Sequence, residues 1–178
     1  MSKLAAFFLL VTIILAAQTA GGGYGRSATA EEIERRGLTI FPNGAGLPAG
    51  SGNAAQGLKI YELRCVRCHN VRGEGRQGAY PALAGGLGSL GTKKPKKTVG
   101  SYWPYATTLW DHINRSMPFN QPRSLTPNDV YAVTAYILYL NGIVKETEQL
   151  DQKSLPAIKM PNRDGFIVDP RPDIKARR

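Results

Sequence analysis

Apolar residues form four distinct patterns along the chain. The first is an almost unbroken run from Leu4 to Ala17, behind a short positive start at Met1-Ser2-Lys3 and ahead of small residues around Ala20 to Gly23. This is the shape of a secretory leader. The run is about 14 residues, short of the roughly 20 needed to span a bilayer. Residues 1–22 are therefore expected to be a signal peptide, with an uncleaved membrane anchor as the alternative.

The other patterns are helical. Residues 54–69 predict a first helix, with Gly57 and Tyr61 four apart and so on one face. A glycine there admits close approach by another helix, and the tyrosine supplies buried area. Tyr105, Leu109, His112 and Ile113 recur at helical spacing over 104–116, and Met117-Pro118 ends that stretch. The best-marked helix begins at Thr126. Its hydroxyl suits the N-cap, Pro127 suits N1, and Asp129 stands near the positive helix end. Leu125 and Val130 suit a hydrophobic staple. Val130, Val133, Ile137 and Leu140 make one stripe, and Asn141-Gly142 is a stop signal.

The remaining segments lack such periodicity. Residues 23–53 read as an N-terminal arm, with one or two helical turns at Glu31 to Arg36 and then turns around Phe41-Pro42-Asn43-Gly44. Residues 70–101 read as a glycine-rich loop. Residues 143–178 form a polar tail broken by Pro156, Pro161, Pro170 and Pro172. It carries spaced apolar anchors at Leu155, Ile158, Met160, Phe166 and Ile167. Such a tail is expected to be disordered or laid along a partner rather than to support the domain. The whole is expected to be all-α, with a helical domain over 54–142.

Twenty glycines and twelve prolines agree with much irregular chain. The formal charge is +10, yet no stretch reads as a nucleic-acid motif. Lys93, Lys94, Lys96 and Lys97 concentrate charge in one loop. They could steer an acidic protein partner or simply keep the loop solvated.

The chemistry lies in Cys65-Val66-Arg67-Cys68-His69, which uses both cysteines of the chain. Two thiols three positions apart can each form a thioether to a haem vinyl group, and the next residue presents its imidazole to the iron. A redox disulfide usually sits at a helix start after a strand, and no strand pattern precedes this one. A zinc site needs four ligands, and the only other histidine is His112. Export agrees with this motif, and a periplasmic location is expected.

A ligating histidine needs its other ring nitrogen held, often by a backbone carbonyl. The carbonyl of Pro81, in Tyr80-Pro81-Ala82-Leu83-Ala84-Gly85, is the candidate. For the sixth iron position the candidate is Met117, on a loop between two helices. His112, or a position left open, is the alternative, and Met160 reads as packing. Tyr102 and Trp103 are candidates to donate to a haem propionate. Trp110 suits plain core packing equally well.

The order helix, Cys-x-x-Cys-His, Pro-Ala-Leu-x-Gly loop, helix, Met-Pro, terminal helix resembles a class I cytochrome c. Longer strings resemble the cytochrome subunit of bacterial sulfite/sulfane dehydrogenases of the Sox D type. They are Gln77 to Gly86, Thr98 to Ala106, Ser116 to Phe119, Lys159 to Phe166 and Gly46 to Gly52. The resemblance implies the class I cytochrome c fold with extended arms and one covalent haem c. It also implies a periplasmic molybdenum-cofactor subunit as partner and electron donor, and a downstream electron acceptor. Members of that family often carry a second haem domain, and this chain has one haem motif. A free periplasmic electron carrier and a catalytic haem protein with an exchangeable iron ligand are the other readings. No catalytic residue of the chain's own is expected.

Overall fold

Four of the helices start on a side-chain cap, at Thr29, Asn53, Thr98 and Thr126. The computed structural model describes residues 25–36 and 39–167; the leader and the last residues of the tail lie outside them. Residues 1–38 and 39–178 form two separate units. In the first, α1 (Ala30–Arg36) starts at Thr29, whose Oγ1 accepts from the Glu32 amide at 3.2 Å while the Glu32 carboxylate accepts from the Thr29 amide at 3.0 Å.

The second unit begins with an irregular segment and the short strand β1 (Ser51–Gly52). α2 (Ala54–Arg64) follows, with a capping box in which Asn53 and Gln56 exchange side chain-to-backbone bonds at 3.0 Å. The first predicted helix does not run through to residue 69. It breaks at Cys65, and α3 (Val66–His69) is a separate turn. The loop after it also contains a helix that the sequence pattern did not suggest, α4 (Val99–Tyr102). It is nucleated by the Thr98–Ser101 capping box. α5 (Ala106–Ser116) and α6 (Pro127–Leu140) complete the core. The predicted cap of α6 is present: Thr126 Oγ1 accepts from the Asp129 amide at 3.2 Å. β2 (Leu150–Asp151) and α7 (Ser154–Ala157) close the described chain.

The most extensive interface joins α2 to α6. Gly57 makes it possible, because a Cβ there would overlap the carbonyl of Ala132 and lie 2.9 Å from Tyr136 Cβ. Tyr61, one turn on, is fully buried and stacks on Tyr136 with ring centroids 5.0 Å apart. α5 crosses α6 on its other side, with Trp110 against Tyr131 at 5.5 Å.

The arm from Thr39 onward and the tail through Met160 are part of this core. Ile40 and Leu47 from the arm are buried, as are Val144, Leu150, Leu155 and Met160 from the tail. β1 pairs antiparallel with β2, Ser51 opposite Asp151 and Gly52 opposite Leu150. The expectation that residues 143–178 lie on a partner rather than on the domain is thus overturned for the stretch through Met160. Isolated apolar side chains, too widely spaced for a helix, fill gaps between α5, α6 and the arm. Phe166 and Ile167 do remain exposed.

Candidate haem site

The break at Cys65 shapes the site. Cys65 is at once the C-cap of α2 and the N-cap of α3, with φ −121°. Its carbonyl accepts from the amides of Cys68 (3.1 Å) and His69 (3.0 Å), which tightens the turn. Both cysteine side chains are half-buried. Burial pushes the Cys65 thiol up to about 11, with Cys68 adding to the shift and Arg64 opposing it. Such surroundings disfavour a thiolate and suit a neutral thioether sulfur.

His69 is buried, and its Nδ1 lies 3.1 Å from the Pro81 carbonyl oxygen, so Nδ1 donates. That leaves Nε2 to bind a metal. The loop that brings Pro81 back is built from backbone bonds. Gly73 O accepts from Leu83 N (2.7 Å) and Ala84 N (3.2 Å), and His69 O accepts from Gly75 N (3.0 Å). Asn70, at φ 60°, turns the chain after the motif and donates to Gly75 O at 2.6 Å. Gly75 sits at φ 72°, where a Cβ would lie 2.5 Å from the Tyr80 carbonyl oxygen.

Asn141 is the residue sequence reasoning missed. It is buried at the end of α6, donates to Leu83 O (3.1 Å) and Ile137 O (2.8 Å), and accepts from Gly85 N (3.2 Å). The Asn-Gly pair signalled a helix stop; that the amide also pins the Pro81 loop had no local signal.

Met117 caps the C-terminus of α5, its amide donating to Ile113 O at 3.0 Å, and its half-buried side chain packs on the core. Met160 is 1% exposed, inside the core. His112 is exposed and meets Trp103 edge-on, centroids 5.6 Å apart. Desolvation lowers its pKa and His69 lowers it further, against Asp111. Tyr102 is sandwiched instead of pointing into free space: Lys97 Nζ lies 4.8 Å over its ring and Phe166 packs at 5.3 Å. Trp110 is 1% exposed and packs on Tyr131, while its buried Nε1–H has no hydrogen-bond partner among the described residues.

Two half-buried cysteines on one tight turn, followed at once by an imidazole fixed through Nδ1, are a donor set that fits haem c. The fold and this donor set define a class I c-type haem protein. The profile of the cytochrome c family matches residues 54–141. A chain of the sulfane dehydrogenase SoxCD from Paracoccus pantotrophus is 41% identical and superposes with a TM-score of 0.77, over 86% of this chain and 75% of that one. Photosystem II extrinsic protein V from Microcystis aeruginosa is 29% identical over 122 aligned positions, 60% of this chain and 88% of that protein. The chain belongs to the cytochrome c family, and its cofactor is covalently attached haem c. It resembles the Sox D-type cytochrome subunit.

Proposed function

We propose that this chain is the monohaem cytochrome subunit of a periplasmic molybdenum sulfite/sulfane dehydrogenase. It accepts electrons one at a time from the catalytic subunit and hands them on toward the respiratory chain. The supporting observation is the reach of the similarity. The general family profile covers residues 54–141 alone, whereas the sulfane dehydrogenase chain matches over 86% of this one, arm and tail included. Among the described residues no helix is long and apolar enough to cross a membrane.

In this reading Cys65 and Cys68 would hold the haem through thioethers, and His69 Nε2 and Met117 Sδ would bind its iron. The bound haem supplies reversible one-electron chemistry. The Pro81 carbonyl fixes the His69 ring and makes it a stronger donor. Met117, a thioether, favours the reduced state relative to a second imidazole. Tyr102 and Trp103 lie on the segment assigned to the propionate side. No residue of the chain makes or breaks a substrate bond.

The test is to purify the tagged holoprotein under sulfur-oxidising growth, assay the eluate for stoichiometric molybdenum, and add sulfite or a sulfane donor. Reduction of the haem within the molybdenum complex is the expected result. A molybdenum-free monomer, inert to both substrates, would sink the proposal and favour a free carrier. For the ligand, Met117→Ala keeps the covalent haem but loses the Met–iron charge-transfer band and lowers the potential. A band that survives this change and vanishes in Met160→Ala overturns the assignment.

A further inference from the structure

The start of α5 is poorly defined by its own sequence. Tyr105 occupies the N-cap position without a side-chain cap bond. Pro104 has no amide to donate, and Trp103 and Tyr105 both have extended backbones. Trp103 meets His112 of α5 edge-on at 5.6 Å, and the tail supplies the further ties that fix how the segment Tyr102–Tyr105 feeds into the helix. Asn162 Nδ2 donates to the Tyr102 carbonyl oxygen at 2.7 Å. The Arg163 guanidinium lies 4.2 Å over the Tyr105 ring. Phe166 packs edge-on against Tyr102 at 5.3 Å. Met160, fully buried, anchors the strap just before these contacts, and α7 touches α5 along its side.

We infer that the strap Met160–Phe166 is a positioning element for Met117, with Asn162 its principal residue. α5 spans eleven residues, roughly 16 Å of stiff rod. Its near end is held by the strap, and its far end carries Met117 as C-cap. Releasing the near end lets the rod tilt, and a tilt there moves the thioether at the other end. The inference rests on the reading of Met117 as sixth ligand. Gly165 offers an independent handle, since a Cβ on it would overlap Asn162 Oδ1 and push the amide off Tyr102.

The measurement is an imidazole titration of the oxidised holoprotein, because added imidazole binds only when Met117 has left. Apparent affinity then scales with the population of the released form. Asn162→Ala and Gly165→Ala should each bind imidazole roughly fivefold or more tightly than wild type, the effect of losing one hydrogen bond. Thr126→Ala, which removes the cap of α6, should lower the melting temperature without moving the imidazole affinity. Wild-type affinity in both strap variants overturns the inference, as does a shift in Thr126→Ala proportional to its loss of stability. Met117→Ala separates the two layers. It should bind imidazole most tightly of all. If it binds no better than wild type, the ligand assignment itself fails and takes the strap's role with it.

Discussion

Replacing Asn141 by alanine tests whether the end of α6 organises the haem site. The residue makes three bonds, and they are not equal. The Asn141 amide donates to Leu138 O at 3.1 Å, so the Ile137 carbonyl has lost its usual i+4 donor and depends on Asn141 Nδ2 at 2.8 Å. Ile137 is 3% exposed, so water does not replace that bond; its loss costs about 1–3 kcal/mol. The half-buried Leu83 carbonyl keeps a second donor, the Val99 amide at 3.3 Å, and adds only about 0.5 kcal/mol. Gly85 is exposed, and water takes over its amide at little cost. The sum is about 2.5 kcal/mol, which lowers the melting temperature by roughly 10 °C for a domain of this size. The same change frees the loop two residues beyond Pro81. The His69 Nδ1 bond weakens, the imidazole becomes a poorer donor, and the midpoint potential rises. Thermal unfolding by circular dichroism and a redox titration read the two effects. A melting temperature within about 2 °C of wild type refutes the hydrogen-bond assignment. A full loss of stability with an unchanged potential refutes the link to His69.

Gly57→Ala gains helix propensity of about 1 kcal/mol but forces α2 off α6. Its Cβ would lie 2.5 Å from the Ala132 carbonyl carbon as well as overlapping the oxygen. Net destabilisation of about 1–3 kcal/mol is expected, and a denaturation midpoint at or above wild type contradicts the close crossing. Asp151 has its pKa lowered by the amides of Ser154 and Lys153, at 2.8 Å each. A depressed carboxyl stabilises the fold above the unfolded value, about 3.9, and that contribution disappears as pH falls through the lower folded value. The melting-temperature gap between wild type and Asp151→Asn should therefore be open at neutral pH and close below about pH 4. A gap that stays constant to low pH rules out this role.

What the sequence made legible were features whose partners lie within a turn. Thr126, Pro127 and Asp129 announce the start of α6 because capping is a four-residue event. Gly57 and Tyr61 announce a helix contact because their spacing is that of one turn. The haem motif is five contiguous residues, and Pro81 was found because a ligating histidine requires an acceptor; the structure places that carbonyl 3.1 Å from His69 Nδ1. The tail was misread for the converse reason. Leu150, Leu155 and Met160 are each fully buried, but five residues apart on a proline-broken chain they carry no period. Their sockets are formed by side chains far away in sequence. The break at Cys65 was hidden because α2 and α3 share one continuous helical pattern.

The pairing of β1 with β2 bears on how well the protein withstands proteolysis. Ser51 and Asp151 stand just outside the helical core on opposite sides in sequence, and they clasp each other. A protease needs an extended stretch to thread into its cleft. Here the segments leading into and out of the haem domain are already engaged, in a strand ladder and through buried anchors at Leu47 and Leu150. Peeling either end exposes the other, so local fraying gives a protease little to hold. Cleavage at these two ends, around residues 47–52 and 150–160, should then follow the rare global opening of the domain. The turnover of the cytochrome is in that case set by its global stability, and a substitution that weakens the core shortens its lifetime even when it leaves the haem untouched.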